Sequence, residues 1–179
     1  MYNILSVTSY SGVGKTTLIE NIVKKLTDRG YKVGTIKHTC HDFDLDTEGK
    51  DSYRHRKAGA SKVCIVSRNR LSFIEELDKE KKLNEIIEFY RDMDLIIIEG
   101  YKKYSFKKLE IIRKDKYEEI ISDKKDLVGI VSDMNYKFGI TQFKLNEYDE
   151  IVDYIEECLH KKIFYLSEED IIKIIELKN

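Results

Sequence analysis

The chain has 179 residues, of which 41% are hydrophobic, and its 32 Lys+Arg and 33 Asp+Glu leave a formal net charge of -1. That length and apolar content fit one globular domain around a sizeable core, and the charge balance argues against a general nucleic-acid binder, which would be basic overall. Three widely spaced cysteines, Cys40, Cys64 and Cys158, suggest no disulfide framework and a reduced, cytoplasmic setting.

There is no proline, so boundaries must come from glycine, caps and hydrophobic period. The opening MYNILSV has no basic n-region and does not read as a signal peptide. Residues 3–8 predict a buried strand. Leu18, Ile19, Ile22, Val23 and Leu26 then lie on one face of a helix that Gly30 would close. Residues 31–37 predict a second strand and 38–51 an irregular segment. A short helix is expected over 52–58, with Asp51 as N-cap and Gly59 as its stop.

Residues 62–67, KVCIVS, predict a buried strand, with 70–74 pairing as a β-hairpin extension. Cys64 and Cys158, within apolar runs, read as small core residues. Leu83, Ile86, Ile87 and Tyr90 share a helical face, and 94–98 is a strongly apolar strand running into Glu99 and Gly100. Runs such as Leu95 to Ile98 are far too short to span a bilayer. Strands at 109–113 and 127–131, a helix through Ile151, Val152, Ile155, Cys158 and Leu159, and a last helix at Ile171, Ile172 and Ile175 complete the pattern. Strands alternating with helices predict an α/β fold: a mostly parallel sheet with helices on both faces. Residues 1–179 form a single domain in this reading, with 140–179 its C-terminal helical part.

The chemistry begins at Gly12-Val13-Gly14-Lys15-Thr16-Thr17. A glycine-rich loop between strand and helix cradles phosphate with backbone N–H groups, and the helix dipole adds to the field. In a P-loop, Lys15 reaches the β- and γ-phosphates and Thr16 offers its hydroxyl to Mg²⁺. Ser9 occupies the position where the full pattern has glycine. Glu99, ending the apolar strand, stands where a P-loop site keeps its Mg²⁺ carboxylate. Asp94 begins the same strand about 16 Å away.

Beyond the second strand lie Lys37, His38, Cys40 and His41, then Asp42, Asp44 and Asp46 in alternation. The ligand crevice of a parallel sheet lies beyond the carboxyl ends of its strands. Asp42 is therefore a further candidate for Mg²⁺ or a catalytic water, and in extended form all three aspartates share one face. The His/Cys spacing fits no standard zinc site. Gly49 to Lys57, which includes Asp51 and Arg54, is locally basic with interleaved hydroxyls and can meet an anionic, phosphorylated ligand, or form an ordinary solvated helix face. Asp133, at the end of a late strand, can accept from guanine N1–H and N2–H₂, although a strand-end Ser-Asp is also a routine cap.

Four blocks together carry a resemblance: Ser11 to Leu18, Ile36 to Asp46, Gly49 to Ala60 and Glu99-Gly-Tyr-Lys102. They resemble the MobB family of molybdopterin-guanine dinucleotide biosynthesis adapter proteins over roughly residues 3–133. The resemblance implies a P-loop protein that binds GTP and Mg²⁺, with at most weak GTPase activity. It implies action beside the MobA-like nucleotidyltransferase that joins GMP to molybdopterin, with molybdopterin itself a second candidate ligand, and it implies a homodimer. On these positions Ser11, Gly12, Val13, Gly14, Lys15, Thr16 and Thr17 hold phosphate. Lys37, His38, Asp51, Arg54 and Asp133 are further nucleotide-side residues, Thr16, Glu99 and Asp42 serve the metal, and Lys15, Glu99 and Asp42 are the catalytic candidates. Cys40 stands where the family has histidine and Tyr101 where it has phenylalanine. The residues alone also suit an ATP-dependent small-molecule kinase, which would need arginines such as Arg54, Arg56, Arg68 and Arg70 in a lid, or a P-loop scaffold without turnover.

Overall fold

The computed structural model describes residues 1–137 and 139–177, so the last two positions of the expected C-terminal helical part lie outside the described residues. The strands are β1 (Tyr2–Thr8), β2 (Val33–Lys37), β3 (Lys62–Ser67), β4 (Arg70–Glu75), β5 (Leu95–Glu99), β6 (Lys107–Ile112), β7 (Leu127–Ser132), β8 (Thr141–Phe143) and β9 (Tyr165–Leu166). The helices are α1 (Lys15–Asp28), α2 (Asp51–Lys57), α3 (Leu83–Ile87, extended by a 3-10 turn over Glu88–Tyr90), α4 (Tyr148–His160) and α5 (Glu168–Glu176). They group into two compact units: Met1–His38 with the chain from Leu83 onward, and Thr39–Lys82.

In the first unit the sheet order is β2-β5-β1-β6-β7-β8, parallel throughout, with β9 antiparallel to the start of β1. β5 explains the unbroken apolar run at its position. Leu95 and Ile97 pack with Leu18, Ile22 and Leu26 of α1 and Ile151 and Ile155 of α4. Ile96 and Ile98 point the other way, to Leu83 and Ile87 of α3 and Ile171 and Ile175 of α5. A strand covered on both faces needs apolar residues at both parities, and the expected α/β arrangement is thereby met. α1 and α4 are also tied at the surface by Lys25–Asp149 (2.5 Å) and Arg29–Asp153 (2.7 Å). Cys158 is buried there, and burial pushes its thiol pKa up. β8 and β9, of three and two residues, are too short to show a period and were not anticipated.

The second unit contains the hairpin, in register from Lys62↔Glu75 to Ser67↔Arg70. The pairing is as expected but the burial is not. Only Val63 of β3 is buried, and Cys64 is exposed rather than a core residue. A two-stranded ribbon has no second layer within its own sheet, so its apolar residues stay at the surface. α2 spans Asp51–Lys57 with Lys50 as N-cap, so Asp51 is the first helical residue and not the cap. A carboxylate still suits that first turn, where it faces the positive end of the dipole.

Candidate functional site

The glycine-rich loop, the candidate phosphate loop, leaves β1 at Thr8 and enters α1 at Lys15. Two of its glycines take left-handed backbone, Gly12 at φ +73 and Gly14 at φ +113, and open space lies where either Cβ would project. That combination is a concave run of main chain able to approach a ligand closely. Gly14 is the N-cap of α1 and offers no side chain to the helix terminus; the first turn holds no acidic residue. The positive end of α1 is thus left for an external anion. Val13 is buried and pins the loop to the core, while Ser11, Thr16 and Thr17 are exposed.

Ser9 does not take a positive φ, which is why serine serves at a position where the motif usually has glycine. Its buried hydroxyl accepts from Lys15 Nζ at 3.0 Å and donates to the Tyr10 carbonyl at 2.7 Å. Lys15 Nζ also donates to that carbonyl at 2.9 Å. Burial pushes the Lys15 ammonium below its ordinary 10.5, Lys102 and Lys37 add repulsion, and Glu99 partly opposes them. A lysine held down in this way gains most from a bound polyanion.

Parallel pairing sets the second wall. Lys37 and Glu99 are register partners at the ends of β2 and β5, and their side chains meet at 3.7 Å. Glu99 keeps 17% of its side chain exposed. His38 continues the β2 pairing by donating its N–H to the Glu99 carbonyl (2.8 Å), and its ring stacks on Tyr101 with centroids 4.1 Å apart. The predicted Lys15, Lys37, His38 and Glu99 therefore belong to one edge of one sheet. An oxygen donor set of Thr16 hydroxyl and Glu99 carboxylate suits Mg²⁺, and the glycine cradle with Lys15 suits the phosphates that would carry it. Asp94 is structural: its Oδ2 accepts from Lys32 N–H at 2.7 Å, joining the starts of β2 and β5.

The acidic alternation resolves differently. Asp44 pairs with Arg56 at 2.6 Å, and Asp46 faces the same guanidinium at 3.5 Å while accepting from the Ser52 hydroxyl at 2.8 Å. Arg56 also reaches Glu76 at 3.3 Å. Asp44 and Asp46 thus serve the second unit's own loop, and the Asp46 N–H that Asp44 accepts at 2.9 Å, together with the Arg56 guanidinium, holds Asp44 below the usual carboxylate range. Asp42, Asp51 and Arg54 are exposed in that unit. At the far end of the first unit's sheet edge, Asp133 Oδ1 accepts from Lys114 N–H at 3.0 Å, and Ser132 Oγ accepts from Met134 N–H at 3.0 Å. Asp133 is exposed beside this turn.

Several residues at this edge escape sequence reasoning. Ser6, Thr8, Lys108 and Glu110 form a buried polar sector, with Ser6↔Lys108 and Thr8↔Glu110 in register. Lys108 Nζ donates to the Lys102 carbonyl (3.0 Å), and the Glu110 carboxylate accepts from Ile121 and Ser122 N–H at 2.8 and 3.0 Å. Here loops, not helices, cover the sheet, and loop backbone needs polar partners. The second of these loops places Tyr117 on Tyr10 of the phosphate loop, stacked at 3.8 Å. The available signal was Lys-Leu-Glu inside a run otherwise suited to a core strand.

Comparison with known proteins follows the same lines. Residues 4–133 match the family described as MobB, Molybdopterin guanine dinucleotide synthesis protein B. The chain is 32% identical over 169 residues to the molybdopterin-guanine dinucleotide biosynthesis adapter protein of Escherichia coli (strain K12), covering 90% of this chain and 96% of that one. It is 31% identical to the protein of the same name from Haemophilus influenzae, covering 88% of this chain and 89% of the other. Among solved structures, Bacillus subtilis MobB superposes with a TM-score of 0.73 at 27% identity, over 87% of this chain and 97% of that chain.

Proposed function

Because this chain belongs to the MobB family, we propose that it is an adapter in molybdopterin guanine dinucleotide biosynthesis that holds GTP·Mg²⁺ on the Gly12–Thr17 loop. The observation that carries this reading is the P-loop edge itself: an open, left-handed glycine cradle at an uncapped helix terminus, with Lys15 depressed and Glu99 alongside. Bound Mg²⁺ would neutralise charge between the β- and γ-phosphates. The chain's part is to bind and orient: backbone N–H groups and Lys15 take the phosphates, and Thr16 and Glu99 take the metal. A site that binds and orients in this way suits slow hydrolysis and a role in binding and presentation to a MobA-like nucleotidyltransferase.

The homodimer belongs to the same proposal. Register puts Cys64, Val66, Leu71 and Phe73 on one face of the hairpin, and Val66, Leu71 and Phe73 are 72%, 59% and 61% exposed. A contiguous apolar ribbon face of this kind marks an association surface, and a second copy is the occupant proposed. Among the described residues no helix is long and apolar enough to cross a membrane. The test is calorimetric affinity for GTP, ATP and GDP with Mg²⁺. GTP preferred, with turnover no faster than minutes, is expected; rapid acceptor-dependent transfer from ATP would replace this reading with a kinase, and no binding at millimolar nucleotide would leave only a scaffold.

A further inference from the structure

Directly after Glu99 the chain makes a tight turn whose construction is costly. Gly100 sits at φ +106, and Tyr101, a non-glycine residue, at φ +46. Left-handed backbone in a bulky residue is uncommon and persists only where the surroundings impose it. Here they do so from three sides. The Tyr101 ring lies on His38 at 4.1 Å, Tyr104 N–H donates to the Tyr101 carbonyl at 3.0 Å, and buried Lys108 donates to the Lys102 carbonyl at 3.0 Å. A buried ammonium spent on a main-chain oxygen is an expensive way to hold a turn. Asp126, 3.9 Å from Lys108, provides its counter-charge.

What the turn presents is Lys102. Its main chain is fixed while its side chain is exposed. Lys102 Nζ lies 5.7 Å from the centroid of the Tyr10 ring, and the carbonyl of that same Tyr10 accepts from Lys15 Nζ at 2.9 Å. One residue of the phosphate loop is therefore touched by both cations. Lys37, at the end of β2, meets the Glu99 carboxylate at 3.7 Å, and Lys15 is repelled by both Lys102 and Lys37, so three ammonium groups gather at this edge. Like charges gathered at one edge repel and are stabilised by an anion placed between them.

Resting on the phosphate-site reading, we infer that Lys102 is a further phosphate-binding residue, a cation supplied by the chain itself that contacts the terminal phosphate of the bound triphosphate. Its side of the site selects that phosphate. Lys15 addresses the β- and γ-phosphates, and Lys102 follows Glu99, the carboxylate of the metal that bridges the same two groups. Lys102 thus distinguishes triphosphate from diphosphate and ties the occupied site to the Gly100–Tyr104 turn.

The test compares Lys102→Gln and Lys102→Arg, with Lys103→Gln as the charge control from the same turn, by calorimetry with GTP and GDP in Mg²⁺. Removing a charged hydrogen-bond donor predicts about 10- to 100-fold weaker GTP binding by Lys102→Gln. GDP affinity should change by less than about threefold in that variant, and both affinities should stay within about threefold in Lys102→Arg and Lys103→Gln. A GTP-to-GDP ratio in Lys102→Gln unchanged from the unaltered protein overturns the inference, as does an equal loss for both nucleotides or an equal effect of Lys103→Gln. Each of those outcomes leaves the phosphate site standing. Failure of the unaltered protein to bind any of these nucleotides removes the site reading, and the inference with it.

Discussion

Glu110 offers a sharp test of how the site is supported. It is 1% exposed in β6, beside Thr8 at the mouth of the phosphate loop. Its two carboxylate oxygens accept from Ile121 and Ser122 N–H at 2.8 and 3.0 Å. Glu110→Ala strips both acceptors at once. A part-buried donor left without a partner costs about 1–3 kcal/mol, giving about 2–6 kcal/mol for the pair. Two effects reduce this: the desolvation cost of the carboxylate is recovered, and the loop can open to water instead of unfolding the sheet. The expected loss is therefore about 2–4 kcal/mol, and about half of that for Glu110→Gln, which keeps one acceptor oxygen. Urea unfolding followed by circular dichroism gives the total, and hydrogen exchange at Ile121 and Ser122 shows whether the loop has been released. A loss below about 0.5 kcal/mol for Glu110→Ala, the range of ordinary surface changes, would refute the reasoning. So would a glutamine variant as damaged as the alanine one.

Lys15→Ala should leave stability within about 1 kcal/mol, since the lysine's lowered pKa marks an ammonium that folding disfavours, while GTP binding weakens by at least about 100-fold; unchanged affinity by calorimetry removes the site assignment. The same lysine predicts proton uptake. Its folded pKa lies below 10.5, so the folded state releases that proton first and this group contributes stability as pH rises through the window below 10.5. Bound phosphate reverses the shift, and calorimetry just below pH 10.5 in two buffers of different ionisation heat should register net protons taken up. Gly100→Ala places a Cβ 2.8 Å from His38 Cβ and 2.9 Å from its carbonyl oxygen at φ +106; a cost of about 1–3 kcal/mol is expected by urea unfolding, and none would show that the turn is not held as described. Phe73→Asp, at a position 61% exposed, should shift sedimentation to the monomer while far-UV circular dichroism at about 25 °C stays that of the folded chain; unaltered self-association would place the interface elsewhere.

The sheet was legible because burial on both faces leaves a signature that no surface strand shares. Leu95 to Ile98 had to be a central strand, and Glu99 and Gly100 had to sit at its carboxyl end. The hairpin misled for the converse reason. KVCIVS has the composition of a core strand, and composition records what a residue avoids, water, without recording which chain supplies the cover. Cys64 and Val66 were therefore placed in a core when they lie on the exposed face of a ribbon. The aspartates misled through a similar gap. Alternation says nothing of partners, and Arg56, twelve residues beyond Asp44, takes Asp44 and Asp46 for the second unit's own loop.

Lys108 and Glu110 show what kind of information was missing at the site itself. In sequence they are charges inside a strand, and a charge there usually signals an edge or a solvated face. In the structure they are buried because the sheet's second face changes its cover part-way up. Where α3 and α5 end, the loops after β5 and β6 take over, bringing N–H and C=O groups that an apolar strand could not satisfy. The polar sector is thus the imprint of loop main chain on a strand, and it can be read only once the loops are in place. Those loops deliver Lys102 and Tyr117 to Tyr10. The glycine-rich motif names the residues proposed to meet phosphate along one continuous segment; the loops that bring Lys102 and Tyr117 to that segment are held by Lys108 and Glu110, whose part becomes visible only through the backbone they bind.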